Sequence, residues 1–379
     1  MDKKRNIFLI NGKIILKNWN IKESSLQFSQ KKIIFIIILI VLSSYLIKRE
    51  INIKIKERQI IDEQNRKKYK KLRKQMLRIL SIYSRKKKFS LENVYITDYN
   101  RLGNALLAFN RVVFYCEILK CKRIFVNQCY QKYIKNTIYD KKYNLTIEYL
   151  SKAKRKNLTS LFRWPYAYYV TLKIRPQNRF EVFKEEILKN LPHPKIDKKD
   201  LYIHIRNGDI YRHPKRSKSY GQPPLCFYKK VIESRKFKNI YIIAENGKYP
   251  IIKNLVSNYT NVKYTKSSVR KDASKLVYAY NIVVSISSFS TSLIKLNDNL
   301  KYCWEYDIYH RPMRFNHLHY SISNFKRKYT IYKMAPSTLY KQIMYRWRGS
   351  KEQLDLMIND TCPNDFEIIK PNIKSFFNF

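Results

Sequence analysis

Residues 201–211, LYIHIRNGDIY, set a guanidinium at the end of an apolar run. Leu201, Tyr202, Ile203 and Ile205 carry a strand pattern that runs into Arg206 and breaks at Asn207-Gly208-Asp209. Open α/β sheets bind ligands at the carboxyl ends of their strands, so an arginine there is placed to meet an anion. Gly208 permits a turn or a close backbone approach, and Asp209 can hold the arginine or cap the next turn. The same letters also suit a buried strand followed by an ordinary Asn-Gly turn. Two further strand ends favour the functional reading: Glu245-Asn246-Gly247 after NIYIIA, and Ser287-Ser288-Phe289-Ser290-Thr291-Ser292 after NIVVSI. An arginine fork and a hydroxyl-rich helix start together make a cradle for a diphosphate.

Other residue types narrow the chemistry. The chain contains no D-x-D, no Walker A sequence and no G-x-G-x-x-G. A divalent ion bridged by paired aspartates, a P-loop and a dinucleotide fold are therefore unsupported, and no metal is expected. Asp272 precedes the serine strand, where its carboxylate could accept two N–H bonds from a guanine edge or simply favour a helix start. Asp98, Asp209 and Glu245 are strand-end carboxylates able to take a proton from an attacking hydroxyl. Beside an arginine a carboxylate is held in its charged form, so Asp209 reads as a partner of Arg206 before a base. His317 and His319 lack an acidic or cysteine neighbour and read as solvated or packing residues.

The elements that must carry these residues follow from periodicity. Residues 91–128 read as strand (94–97), turn (98–103), helix from about Asn104, and strand (124–126), a βαβ unit with Gly103 at its first turn. The amino end of that helix offers unpaired N–H groups. Residues 128–178, rich in tyrosine, read as irregular loops and short helices shaping an acceptor pocket. A helix over 179–190 and the linker LPHPKIDKKD follow, marking a boundary. From 201 to 292 strands and helices alternate, which means a parallel sheet with helices on both faces. Beyond 300, two helices are read near 337–348 and 351–358.

Lys and Arg total 78 against 28 acidic residues, a formal charge of +50. Lysine, isoleucine, asparagine and tyrosine are high throughout, so the charge reflects whole-chain composition rather than a site, and nucleic acid is not expected as a partner. Residues 33–47, IIFIIILIVLSSYLI, form the longest apolar run, flanked by Lys31-Lys32 and Lys48-Arg49. It is shorter than the usual span of about 20 residues. Snorkelling lysines and a thin early-secretory bilayer would accommodate it. Asn144, Asn157, Asn258 and Asn359 each begin an N-x-[ST] sequon downstream of it. The expectation is a type II single-pass protein of the Golgi or ER membrane with its body in the lumen. Its segments are a cytosolic tail (1–32), an anchor (33–47), a basic helical stem able to self-associate (48–90), two α/β parts (91–195 and 196–335) and closing helices (336–379). All six cysteines lie beyond the anchor, with pairing open. Cys116 and Cys121, five apart on a helix, would not face each other.

HIRNGDI resembles the H-x-R-x-x-D signature of fucosyltransferases, above all the α1,2-fucosyltransferase family. RLGNALLAFNRVVFYCEILKCKRIFV resembles that family's amino-terminal G-L-G-N segment, and DASKLVYAYNIVVSISSFSTSLIKLN its carboxy-terminal segment, in the same order. The resemblance covers about 91–300. It implies a GT-B-like fold of two Rossmann-like halves and metal-free inverting transfer from GDP-fucose to a glycan or glycoprotein. By the same resemblance Arg206 and Gly208 would hold the donor diphosphate, and Ser288, Phe289 and Ser290 would line the nucleotide. His204 and Asp272 would lie near the guanosine, with Gly103 and Asn104 across the cleft. Family members often carry a second arginine where Asn207 stands, which leaves open another GDP-sugar or a non-catalytic binding protein that keeps the fold.

Overall fold

The computed structural model describes residues 6–10 and 13–17, helical positions between 50 and 77, and then 92–96, 101–126, 133–135, 137–149, 179–212, 221–308, 328–344 and 347–371. The expected anchor at 33–47, Asp98, Asn157, Cys129 and the histidines at 310–319 lie outside the described residues. Two compact units divide the chain, Met1–Lys70 and Lys71–Phe379. In the first, where sequence suggested only a tail, β1 (Asn6–Ile10) and β2 (Lys13–Lys17) form an antiparallel hairpin with Asn6 opposite Lys17.

The second unit is α/β and holds two sheets. The smaller has the order β3-β4-β6-β5, from β3 (Asn93–Tyr95), β4 (Arg123–Val126), β5 (Ile138–Asp140) and β6 (Leu145–Tyr149). Strands β3, β4 and β6 run parallel, and β5 closes the edge antiparallel. Between β3 and β4 runs α1 (Leu102–Leu119), apolar nearly all round because it is buried nearly all round. It is long and apolar enough to cross a membrane, yet 78% of it is buried inside the unit, as a core helix is. Phe109 stacks on Phe183 of α2 (Glu181–Lys189) with ring centroids 4.4 Å apart.

α1 stops at Lys120, in the left-handed conformation at φ 60°. The N–H groups of Lys120 and Cys121 both return to the Cys116 carbonyl. This reversal also brings Cys121 beside Cys116, and burial, with the neighbouring thiol second, raises the Cys116 pKa. The expectation that the two cysteines stay apart therefore fails. Helical spacing rules hold only while the helix continues, and here it turns back before the second thiol. The region from 128 to 178, expected to be irregular, contains the β5–β6 hairpin, with exposed Asn144 at φ 49° in its turn.

The larger sheet has seven strands in the order β13-β12-β11-β10-β7-β8-β9. They are β7 (Leu201–His204), β8 (Ile240–Ile243), β9 (Val262–Tyr264), β10 (Asn281–Val283), β11 (Tyr302–Tyr306), β12 (Thr330–Met334) and β13 (Phe366–Ile369). All neighbours are parallel except β12 and β13. Its helices are α3 (Asp209–Arg212), α4 (Leu225–Glu233), α5 (Pro250–Asn258), α6 (Val269–Tyr278), α7 (Ser288–Leu293), α8 (Thr338–Met344) and α9 (Lys351–Asn359). Every residue of β7 is buried, as a central parallel strand covered on both faces requires. The chain steps outward from β7 through β8 to β9, then returns to the other side of β7 with β10. That reversal creates a switch point between the carboxyl ends of β7 and β10, where doubly wound sheets bind ligands.

The carboxy-terminal helices bond to elements that pack on the larger sheet. Trp347 Nε1 donates to the Ile210 carbonyl at 3.1 Å, and Gln353 Nε2 to that of Ile343 at 2.9 Å. A disulfide between Cys226 on α4 and Cys362 just after α9 ties this layer to the larger sheet's own helices. KYCWEYDIY, which carried no assignment, supplies β11, its Trp304 fully buried against Tyr332.

Candidate active site

At the switch point lies a cleft of about 680 Å³. Its walls come from the loops after β7, β8, β9 and β10 and from the first turn of α1. Arg206 leaves β7 one residue beyond Ile205, whose N–H still pairs with the Ile243 carbonyl at 3.0 Å. Its Nη1 donates to Ser287 Oγ at 3.3 Å. Ser287 is the N-cap of α7, and its hydroxyl also accepts from the Phe289 N–H at 3.2 Å. One hydroxyl thus binds the guanidinium to the start of a helix. This is a concentration of N–H donors, suited to a ligand carrying negative charge.

Asn207 and Gly208 explain how the β7 and β8 loops meet. Asn207 is 2% exposed. Its Nδ2 donates to the Asn246 carbonyl at 2.6 Å, and its Oδ1 accepts from the N–H groups of Glu245 at 2.9 Å and Asn246 at 3.4 Å. Gly208 has φ +76°, and a Cβ there would fall 2.0 Å from a carboxylate oxygen of Glu245. The positive φ favours glycine here, and the end of the flexible Glu245 side chain fills the space a Cβ would take. Glu245 is exposed and lines the cleft.

His204 is buried with Nδ1 2.8 Å from Ser285 Oγ, its ring 5.4 Å from that of Phe289. Burial, and after it the Arg206 charge, pull its pKa down to about 3, so the imidazole is neutral. Asp272 occupies the first turn of α6 and also lines the cleft, its Oδ1 bonded to Ser267 and 3.5 Å from Lys275 Nζ.

Gly103 lines the cleft, and it and Asn104 also meet α7 directly. Ser288 Oγ donates to Asn104 Oδ1 at 2.6 Å and Ser292 Oγ to the Gly103 carbonyl at 3.2 Å, so α1 and α7 are in direct contact. Ser290 is fully buried and turns its hydroxyl to the Ser285 carbonyl at 3.5 Å, away from the cleft it was expected to line. It belongs to the inner face of α7, whereas Ser287, Ser288 and Phe289 form the lining. Asp209 opens α3, its side chain outside the described part.

Arg101, Tyr133, Lys266 and Ser267 also line the cleft, and sequence reading did not single them out. Lys266 and Ser267 follow the short strand β9, so the carboxyl-edge rule applied to that strand would have found them. No comparable signal marks Tyr133.

The strand order and the cleft together define a doubly wound α/β protein with a cleft at its switch point. No protein-family model matches the chain, and no curated protein matches it by sequence. Among solved structures, fucosyltransferase NodZ from Bradyrhizobium is similar at TM-score 0.35 and 9% identity, covering 55% of this chain and 94% of that one. NodZ alpha-1,6-fucosyltransferase soaked with GDP-fucose is similar at TM-score 0.35 and 6% identity, covering 74% of this chain and all of the other (100%). Alignments this loose transfer no residue role.

Proposed function

We propose that the chain is a glycosyltransferase that takes its sugar from a GDP-linked donor, GDP-fucose on the strength of its three motifs, and passes it to a glycan or glycoprotein. The carrying observation is that residues 81 positions apart, Arg206 and Ser287, meet at the switch point with His204, Phe289 and Asp272 lining the same cleft. In this reading the two sheets are the halves of a GT-B enzyme. Arg206, with the N–H groups at the start of α7, faces the diphosphate. As the bond from sugar to phosphate breaks, negative charge gathers on the leaving oxygen, and a fixed guanidinium stabilises it without reorganisation. Neutral His204 adds no competing charge, and Phe289 offers a ring face to the base. Attack from the side opposite the leaving group inverts the sugar carbon. The reading also takes 33–47 as a membrane anchor and the body as lumenal in the Golgi or ER. Exposed Asn144, Asn258 and Asn359 would then be open to glycosylation.

The test is a thermal-shift series on the full chain with GDP, GDP-fucose, GDP-mannose and UDP-sugars, in EDTA. Ligand at 100 times its Kd should add about 2.7 kcal/mol of stability. GDP and GDP-fucose should raise Tm and UDP-sugars should not. No shift with any GDP ligand would overturn the proposal. Binding without turnover on any acceptor would instead favour a non-catalytic protein, the reading that Asn207 motivates.

A further inference from the structure

Resting on that donor reading, we infer that Glu245 is the base that accepts the acceptor's proton, and that Asn207 is the positioning residue that aims it. Only two described carboxylates line the cleft, Glu245 and Asp272. Asp272 belongs to the α6 end, its Oδ1 engaged by Ser267 and near Lys275. Glu245 lies against the Arg206–Gly208 turn: its carboxylate occupies the space a side chain on Gly208 would need. Gly208 is two residues along the chain from Arg206, the cation that would receive the leaving group, so the carboxylate and the guanidinium belong to one corner of the cleft.

Asn207 is where a second cation would stand in the fucosyltransferase motif, yet its amide is not presented as a ligand. It is buried, and three hydrogen bonds attach it to the main chain of Glu245 and Asn246. Both the N–H of Glu245 and the carbonyl of the next residue are held, so the Glu245 backbone is fixed on both sides. Gly208 then removes the one side chain that would push the carboxylate out. The arrangement exchanges a second positive charge on the diphosphate for a fixed proton acceptor beside it.

The step balances as follows. A lone pair of the acceptor hydroxyl forms the new bond to the sugar carbon, and the bond from that carbon to the β-phosphate oxygen breaks with its electron pair staying on GDP. The acceptor's proton passes to a Glu245 carboxylate oxygen and then to solvent. Hydrolysis is the same step with water as acceptor.

The experiment measures GDP binding by calorimetry and GDP-fucose turnover, with water as acceptor, for the full-length parent, E245Q, N207A and the double variant. A positioned base contributes roughly 100-fold or more. E245Q should lower kcat about 100-fold, lose the acid limb of the kcat–pH profile, and bind GDP within about 3-fold of the parent. N207A should lower kcat about 10-fold with GDP binding kept. Because Asn207 acts through Glu245, the double variant should be no slower than E245Q within about 3-fold, whereas independent effects would multiply to about 1,000-fold. Near-parental kcat in E245Q, multiplying effects, or loss of GDP binding in N207A would each overturn this inference alone. A parent that binds GDP without turnover would overturn it together with the transferase reading. A parent that does not bind GDP would overturn the donor reading and this inference with it.

Discussion

A Cβ on Gly103 would lie 2.4 Å from the backbone nitrogen of Phe289. The first turn of α1, from the smaller sheet, is thus in main-chain contact with the first turn of α7, from the larger one. The same α7 turn holds Ser287, the hydroxyl partner of Arg206. The cleft therefore has a fixed point shared by both sheets, and its geometry depends on the absence of one methyl group.

Gly103→Ala tests that contact. The atoms it would meet are backbone, which cannot rotate aside, so α1 and α7 must separate. Overpacking of this kind costs about 1–3 kcal/mol. Denaturant unfolding should show that loss, and GDP binding should weaken about 10-fold because Ser287 moves with Phe289. Unchanged stability and binding would mean the two helix starts are not locked together.

Arg206→Lys and Arg206→Ala separate charge from geometry. Loss of one charge-stabilising donor costs about 2.7–4 kcal/mol at the transition state. The alanine variant should lose at least about 100-fold in kcat for GDP-fucose turnover. Lysine keeps the charge but not the planar fork that can bond Ser287 and an oxygen together, so it should recover only a small part. Equal rates for lysine and arginine would show that a point charge suffices.

His204 makes a prediction about pH. Burial, with the nearby Arg206 second, depresses it to about 3 from 6.5. The folded state holds the ring neutral while the unfolded chain takes up a proton as pH falls through 6.5. The unfolded state binds more protons in this window, so stability falls with falling pH, by about 1.4 kcal/mol per unit between the two values. Urea midpoints measured from pH 7 to 4 should drop steeply for the parent and more gently for His204→Gln, whose amide can still meet Ser285. Parallel pH profiles would show that another group sets the acid sensitivity.

The Cys226–Cys362 disulfide closes a loop across 136 positions. Removal of a native disulfide usually costs about 2–5 kcal/mol. Cys226→Ser with Cys362→Ser should lower Tm and release α9 from α4, raising hydrogen exchange over 351–359 before that of the central strands. Exchange that rises uniformly instead would place the bridge outside any local unit.

Much of the site was legible because sheet chemistry is local. Arg206, Glu245 and the serine run each follow an apolar strand, and open sheets expose their carboxyl ends to ligands. His204 and Asp272 line the same cleft. Ser290 was misjudged because a run of serines gives no sign of which face of a one-turn helix is inside. Cys116 and Cys121 were misjudged because the left-handed residue that reverses the chain, Lys120, is not glycine and carries no sequence mark. The three strands after residue 300 escaped notice because aromatic and charged residues obscure their alternation.

From its residues alone the chain determined where strands end, which of those ends carry a cation, a carboxylate or hydroxyls, and that a parallel α/β arrangement must join them. Those properties follow from side-chain period and turn chemistry within a few residues. Only the tertiary structure decided that β10 returns beside β7, that the Asn207 amide bonds the main chain of the β8 loop, and that Gly103 touches Phe289. These are pairings between positions 38 to 186 apart, and they are set by how whole elements pack rather than by any local preference of the backbone.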